Sequence, residues 1–364
     1  MRSFYFVWAV LLSLAFCQSA MAAISLPEDR HSAVILAYQR IGEEAYPDNN
    51  LLEEQFLDHV KEFTNGGYTI LPLAAIIDAA KNHRELPPRT LAITFEGAYK
   101  SALGKAIPEL LKNNIPFTIF YSSGQIDGNS EQMMGWSELK SLSNNAGVSL
   151  GILPAAYARL ADKPGDEIKR QINKARMRHR EVFGNEPEFF SYPFGEYSLA
   201  YKNIVAHSGF KAAFGLHAGS VYDGSDFLAL PRFSMSERFG NIDRFRMIAA
   251  SLPLPAIDIE PQDPHLGTDT PSIGFSVPLS LKTELKNLSC FVSGQPQPDI
   301  QTLGNRVEVR LTATPNGERL RVNCTMPGPM DTEHDTEQWR WLGMILTSPA
   351  YTPDQHPDQR EDIT

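Results

Sequence analysis

The chain has 364 residues, 42% of them hydrophobic, so it can bury a substantial core, and its length favours two domains. It carries 33 Lys and Arg against 43 Asp and Glu, which gives a formal net charge of -10. Nucleic-acid binding needs clustered cations that contact phosphates, and no basic stripe runs along this sequence. The composition therefore excludes a nucleic-acid partner and favours neutral or cationic partners.

The first 22 residues are typical of a secretory signal peptide. Arg2 precedes an apolar run over residues 4–16, and Ala20 and Ala22 then form an A-x-A cleavage site. The apolar run is shorter than the ~20 residues that a bilayer-spanning helix needs. Cleavage after Ala22 is expected to leave a periplasmic or secreted chain without a membrane span.

Between residues 33 and 250, short apolar runs typical of buried strands alternate with amphipathic helical stretches. The predicted strands lie at residues 33–37, 90–95, 117–121, 148–150, 189–192 and 212–215. The clearest predicted helices cover residues 51–64, 166–183 and 242–251. This alternation indicates parallel strands covered by helices, and in such barrels the side chains at the carboxyl ends of the strands form the site.

Three short segments fall at the ends of predicted strands. They read ITFEGAY (93–99), LGILPAAYARL (150–160) and FSYPFGEY (190–197). Their order and separation resemble the polysaccharide deacetylase family (the NodB homology domain), whose motifs read Thr-Phe-Asp-Asp-Gly, His-x-x-x-His and Tyr-Pro-Tyr-Gly-Glu. The resemblance implies a distorted (β/α) barrel over residues 24–250 and an ancestral polysaccharide de-N-acetylase activity that uses a divalent metal, usually zinc.

The resemblance places the family's catalytic base on Glu96 and its three metal ligands on Gly97, Leu153 and Tyr157. Gly97 and Leu153 carry no donor atom, and a tyrosine phenol, with an ordinary pKa of about 10, is a poor substitute for a neutral imidazole. A catalytic zinc normally needs three protein ligands and one open position. We therefore predict that the metal cofactor and the family's mechanism have been lost.

The third segment resembles the turn that lines the substrate groove in the family. The resemblance implies substrate contacts from Tyr192, Pro193, Phe194, Gly195 and Glu196. Ser191 stands where many members carry an arginine. Arg232, in a segment that resembles the last barrel strand, is a further candidate groove residue and a candidate for orienting an acid.

Two titratable residues at strand ends are candidates for catalysis. Glu96 is placed to act as a general base, although it lacks an electrophilic partner without the metal; the alternative is a carboxylate that accepts hydrogen bonds. His217 is a candidate acid or sugar hydrogen-bond donor, and a satisfied loop histidine is the alternative. The sequence contains no HExxH, nucleophile elbow, P-loop or dinucleotide motif.

Five prolines in residues 251–271 mark a linker to a second region. Residues 272–349 alternate polar and apolar side chains between turns, which predicts a small antiparallel β domain. The acidic loop 331–337 and the tail 350–364 are predicted to be disordered.

Cys17 is removed with the predicted signal peptide, which leaves Cys290 and Cys324 as an even pair in an exported chain. We therefore predict a disulfide between them. The alternative is that they are two buried free thiols.

Three functions remain open. The first is an exported pseudoenzyme that binds N-acetylated or acylated envelope polysaccharide without metal-dependent deacetylation. The second is an active hydrolase of carbon-nitrogen bonds, a polysaccharide de-N-acetylase that uses Glu96 in a different arrangement. The third is a structural or regulatory partner of an envelope protein in polysaccharide assembly.

Overall fold

The computed structural model describes residues 23–266, 271–311 and 319–348. The predicted signal peptide and the tail 350–364 lie outside the described residues. A parallel sheet with the order β8-β1-β3-β4-β5-β6-β7 forms the barrel, and β2 pairs with the start of β3. Its strands are β1 Val34–Tyr38, β2 Thr69–Ile70, β3 Thr90–Glu96, β4 Phe117–Tyr121, β5 Val148–Ile152, β6 Phe189–Ser191, β7 Ala212–Phe214 and β8 Phe233–Ser234.

The helices between these strands cover the outside of the sheet. They are α1 Glu53–Asn65, α2 Leu73–Lys81, α3 Ile107–Lys112, α4 Ser123–Asp127, α5 Trp136–Ser143, α6 Gly165–Phe183, α7 Leu199–Ala206 and α8 Ile242–Ala249. The helices predicted over residues 51–64, 166–183 and 242–251 correspond to α1, α6 and α8. A bridge between Phe214 and Leu230 continues the sheet from β7 towards the segment that leads into β8. The predicted distorted (β/α) barrel is confirmed.

Both faces of the parallel sheet are buried, because helices cover the outer face and the barrel interior encloses the inner one. Alternate residues of each strand point to opposite faces. In β1, Val34 and Leu36 pack in the large cluster under the helices, whereas Ile35 packs in a second apolar cluster on the opposite face. This second cluster, in the barrel interior, also contains Leu153 and Tyr157. Two of the three positions to which the resemblance assigns the family's metal ligands, Leu153 and Tyr157, are therefore part of the packed core.

The C-terminal region contains two four-stranded sheets, with the orders β9-β16-β15-β12 and β10-β11-β14-β13. Their strands are β9 Leu252–Pro253, β10 Ile257–Glu260, β11 Ile273–Ser276, β12 Ser289–Val292, β13 Asp299–Leu303, β14 Arg306–Arg310, β15 Leu320–Asp331 and β16 Thr336–Leu346. Apart from β9, which runs parallel to β16, the pairings are antiparallel. The predicted small antiparallel β domain is confirmed.

Two short segments differ from the sequence predictions. Part of the segment predicted as a linker forms β9 and β10, because both lie at sheet edges, where prolines such as Pro253 are tolerated. The acidic loop 331–337 is an ordered hairpin turn between β15 and β16. Its Asp331 carboxylate accepts hydrogen bonds from the backbone and the ring of His334, which satisfies the turn locally.

Cys290 and Cys324 form the predicted disulfide. They stand directly opposite each other in β12 and β15, and both are completely buried. The bond therefore joins two strands of one sheet inside the apolar core of the β domain. No helix of the described residues is both long and apolar enough to cross a membrane.

The two regions are packed directly against each other. The fully buried Arg340 of β16 donates to both carboxylate oxygens of Asp29, at 2.6 and 2.8 Å, and to the carbonyl of Ile24 at 2.7 Å. An antiparallel bridge joins Gly219 of the barrel region to Leu342 of β16. Charged hydrogen bonds and backbone pairing therefore fix the β domain on the barrel.

A buried histidine makes the barrel sensitive to acid. His59 of α1 is fully buried, with Nε2 2.8 Å from the carbonyl oxygen of Gly240 and Nδ1 2.9 Å from the Tyr38 hydroxyl. A carbonyl only accepts, so Nε2 carries the proton and Nδ1 accepts from the tyrosine. Burial lowers the pKa of His59 to about 4, so the ring is neutral in the folded protein near neutral pH.

We expect the free energy of unfolding to fall as the pH is lowered from about 6.5 towards 4. Between these pH values the unfolded chain binds a proton at His59 and the folded chain does not. The free energy of unfolding therefore falls by roughly 1.4 kcal/mol for each pH unit. Urea unfolding at pH 7.5, 6.0 and 5.0 measures the slope, and a His59→Gln variant should show a shallower one. An unchanged slope in the variant would exclude His59 as a source of the acid sensitivity.

Candidate functional site

Glu96, the predicted catalytic base, ends β3 and is completely buried. Its Oε2 accepts hydrogen bonds from the Ser191 hydroxyl, at 2.7 Å, and from the Arg232 guanidinium. Its Oε1 accepts from the Tyr157 hydroxyl at 3.1 Å. Arg232 also donates to Ser191 Oγ at 2.7 Å and to the carbonyl oxygen of Gly215 at 2.9 Å. We call Glu96, Arg232, Ser191 and Tyr157 the buried ion-pair cluster.

The surroundings of this cluster are apolar. The Arg232 guanidinium lies 5.2 Å from the centroid of the Phe120 ring and 5.7 Å from that of Phe214. The side chains of Glu96 and Arg232 have no exposed surface. Attraction between opposite charges is strong in such a place, and an unpaired charge there is costly. The cluster therefore holds the carboxylate in a fixed, desolvated position.

The residues at the three metal positions do not fit a metal ion. A Cβ atom at Gly97, whose φ is +81°, would lie 2.4 Å from the Tyr99 ring, so a side chain there would need that ring to move. Leu153 is completely buried, and the Tyr157 ring packs edge-on against Phe194 with centroids 4.7 Å apart. Among the described residues, no group of three or more His, Cys, Asp or Glu side chains could hold a metal.

The turn that was predicted to line a substrate groove is largely buried. Tyr192 is completely buried and donates its hydroxyl hydrogen to the carbonyl oxygen of Leu228 at 2.9 Å. Pro193 and Gly195 are buried, and Phe194 is half-buried with a left-handed φ of +59°. The turn is thus tightly packed, and Phe194 is its most accessible predicted contact residue.

Glu196, at the end of this turn, connects the two regions of the protein. Only 4% of its surface is exposed. Arg159 Nε lies 3.1 Å from Oε2, and Arg319 Nε, directly before β15 of the β domain, lies 2.7 Å from Oε1. Two arginines therefore hold a carboxylate that was predicted to contact substrate. The sequence alone could not identify either arginine as a partner, because Arg159 and Arg319 lie 37 and 123 positions from Glu196 along the chain.

The side chain of His217 is not part of the buried ion-pair cluster. It is half-buried and lines a cavity between the barrel and the β domain. Desolvation, followed by the nearby Arg232 charge, lowers the pKa of His217 to about 4. The ring is therefore neutral near neutral pH, where it can form hydrogen bonds but carries no charge.

Residues 83–213 match the family model described as polysaccharide deacetylase. This part of the chain is similar to polysaccharide deacetylase domains. The match contains the ion-pair residues Glu96, Tyr157 and Ser191, whereas Arg232 lies beyond it. No curated protein sequence matches the chain.

Solved structures of deacetylases share the fold. The Streptococcus pyogenes deacetylase PplD in complex with acetate is 17% identical, with a TM-score of 0.55 over 59% of this chain and 96% of that one. IcaB from Ammonifex degensii is 19% identical, with a TM-score of 0.54 over 60% of this chain and 97% of that one. A de-N-acetylase from Aggregatibacter actinomycetemcomitans is 14% identical, with a TM-score of 0.52 over 59% and 98%. At these identities the likeness establishes the fold alone.

Proposed function

We propose that the chain is an exported, noncatalytic protein with a deacetylase fold that binds N-acetylated or acylated envelope polysaccharide. The loss of catalysis is inferred from the buried ion-pair cluster. A general base needs a lone pair within reach of the water it activates. The Glu96 carboxylate instead accepts hydrogen bonds from Arg232, Ser191 and Tyr157 and has no exposed surface.

The metal positions support the same proposal. A metal-dependent deacetylase uses its ion to polarise the acetamide carbonyl and to lower the pKa of a bound water. Gly97 and Leu153 supply no ligand atom, and the Tyr157 hydroxyl donates its hydrogen to Glu96. We therefore propose that the protein uses no metal cofactor.

Export rests on two supporting features. The sequence of residues 1–22 is typical of a secretory signal peptide. The Cys290–Cys324 disulfide is the kind of bond that persists in oxidising compartments such as the periplasm or the extracellular space. The family of the domain then supports an acetylated envelope polysaccharide as the ligand class.

The test combines metal retention, turnover and binding on the mature protein. After incubation with excess zinc and buffer exchange, elemental mass spectrometry should find far less than one zinc per chain. Incubation with N-acetylated chito-oligosaccharides should release no acetate above the blank, whereas isothermal titration with the same sugars should show binding.

Two other outcomes favour the remaining functions. Acetate release would overturn the proposal, and its loss in a Glu96→Gln variant that circular dichroism shows to be folded would establish an active hydrolase based on Glu96. Neither turnover nor binding at millimolar sugar would also overturn it and favour a structural partner in envelope polysaccharide assembly.

A further inference from the structure

A cavity of about 560 Å³ lies between the barrel and the β domain. One wall comes from α7 and from the loop that follows β7, and the other comes from β10 and β16. Sites for small molecules usually have volumes of about 300–1,000 Å³ and form preferentially where two domains meet. The cavity is separate from the buried ion-pair cluster, which fills the place of the family's catalytic centre.

The walls of the cavity are held rigidly. A Cβ atom at Gly343 of β16 would lie 2.3 Å from the carbonyl oxygen of Ala218, so the two backbones approach as closely as glycine permits. The bridge between Gly219 and Leu342 lies beside this contact. These four residues all line the cavity. The space is therefore formed before a ligand arrives, which reduces the entropy cost of binding.

The cavity walls carry polar groups suited to sugar hydroxyls. The Tyr197 hydroxyl and the Asp258 carboxylate make no hydrogen bond to another group in the described part of the chain, and both residues line the cavity. Asp258 has a φ of +50°, an unusual conformation that Asp tolerates better than most residues, and it lies where β10 is irregular against β11. Lys202 and Asp226, 2.6 Å apart, add a donor and an acceptor.

The charge and the apolar surface narrow the ligand class. Asp226 neutralises Lys202, and the neutral His217 adds no positive charge. Among the described residues that line the cavity, no unpaired cation is therefore left to bind an anionic ligand. Tyr222 lines the cavity and supplies aromatic surface of the kind on which sugar rings pack. An uncharged saccharide satisfies both conditions, because its hydroxyls form hydrogen bonds and its ring faces are apolar.

We propose that this interdomain cavity, and not the turn over residues 192–196 that follows β6, is the saccharide site of the protein. The inference rests on the proposed function, since it assigns a place to the glycan that function requires. Tyr197 and Asp258 hydrogen-bond the sugar hydroxyls, and the proline-rich wall formed by Pro231 and Pro253 accepts the acetamide methyl group.

The test is isothermal titration of the mature full-length protein with N,N′,N″-triacetylchitotriose. Tyr197→Phe and Asp258→Ala should each weaken binding about tenfold, the effect expected when one hydrogen bond to the ligand is lost. Phe194→Leu, in the turn that was predicted to contact substrate, tests that alternative site and should not weaken binding if the cavity is the saccharide site. Asp299→Ala, an exposed β13 residue that does not line the cavity, controls for removal of a carboxylate from the same domain.

The outcomes separate the site from the function. Binding that both cavity variants leave intact and Phe194→Leu weakens would overturn the cavity assignment while the glycan-binding function stands. No binding by the wild-type protein would overturn both. Thermal unfolding of each variant shows whether it is folded, and because Tyr197→Phe removes a single oxygen atom, it keeps the test valid if Asp258→Ala unfolds.

Discussion

Replacing Arg232 with methionine is expected to destabilise the protein by about 3–5 kcal/mol, the cost of leaving one partner of a buried ion pair uncompensated. The Glu96 carboxylate would keep only its hydrogen bonds from Ser191 and Tyr157, in a place without solvent. Urea unfolding followed by circular dichroism measures the change. An Arg170→Met variant is the matched control, because its ion pair with Glu167 lies on the surface, where water screens the attraction, and its loss should leave the stability nearly unchanged.

A second variant shows whether the charge of Glu96 is the cause. In the double variant Glu96→Gln/Arg232→Met the buried charge is gone, so we expect it to be more stable than Arg232→Met alone. Equal loss in the single and double variants would attribute the effect to lost packing against Phe120 and Phe214 instead.

Removal of the disulfide is expected to cost about 2–4 kcal/mol. The bond joins residues separated by 34 positions, and its loss returns the entropy of this loop to the unfolded chain. The variant Cys290→Ala/Cys324→Ala should therefore unfold at a lower urea concentration than the wild type without reductant.

A chemical control accompanies this prediction. The wild type with a strong reductant should unfold at nearly the same urea concentration as the double alanine variant. If the wild type and the variant unfold together in the absence of reductant, the disulfide contributes nothing to the stability of the β domain.

Much of the fold could be predicted from the sequence because its signals are local. The apolar runs that became β3 and β4, and the amphipathic periods of α1 and α6, are each set within twenty or so neighbouring residues. The sequence predicted a linker in place of β9 and β10 because Pro253 lies in β9 and Pro261 directly follows β10. Both strands lie at sheet edges, where nearby prolines are tolerated.

The state of the site could not be predicted in the same way. The sequence shows that Gly97 and Leu153 lack ligand atoms, which is a property of the residues themselves. Whether Glu96 meets water or a cation depends on Arg232, which lies 136 positions away and reaches it only when the sheet returns to β1. The pairing of Glu196 with Arg319 could not be predicted for the same reason, because Arg319 belongs to the β domain and Glu196 to the barrel.

The contact between Arg340 and Asp29 has a consequence for the order in which the molecule assembles. These residues are 311 positions apart, yet the arginine also binds the carbonyl of Ile24. The segment around Asp29 cannot complete these contacts until β16 has been synthesised and folded. Contacts between such distant residues slow folding, because the loop between them must close first. During synthesis, the segment around Asp29 therefore lacks its contacts with Arg340 until β16 has been made.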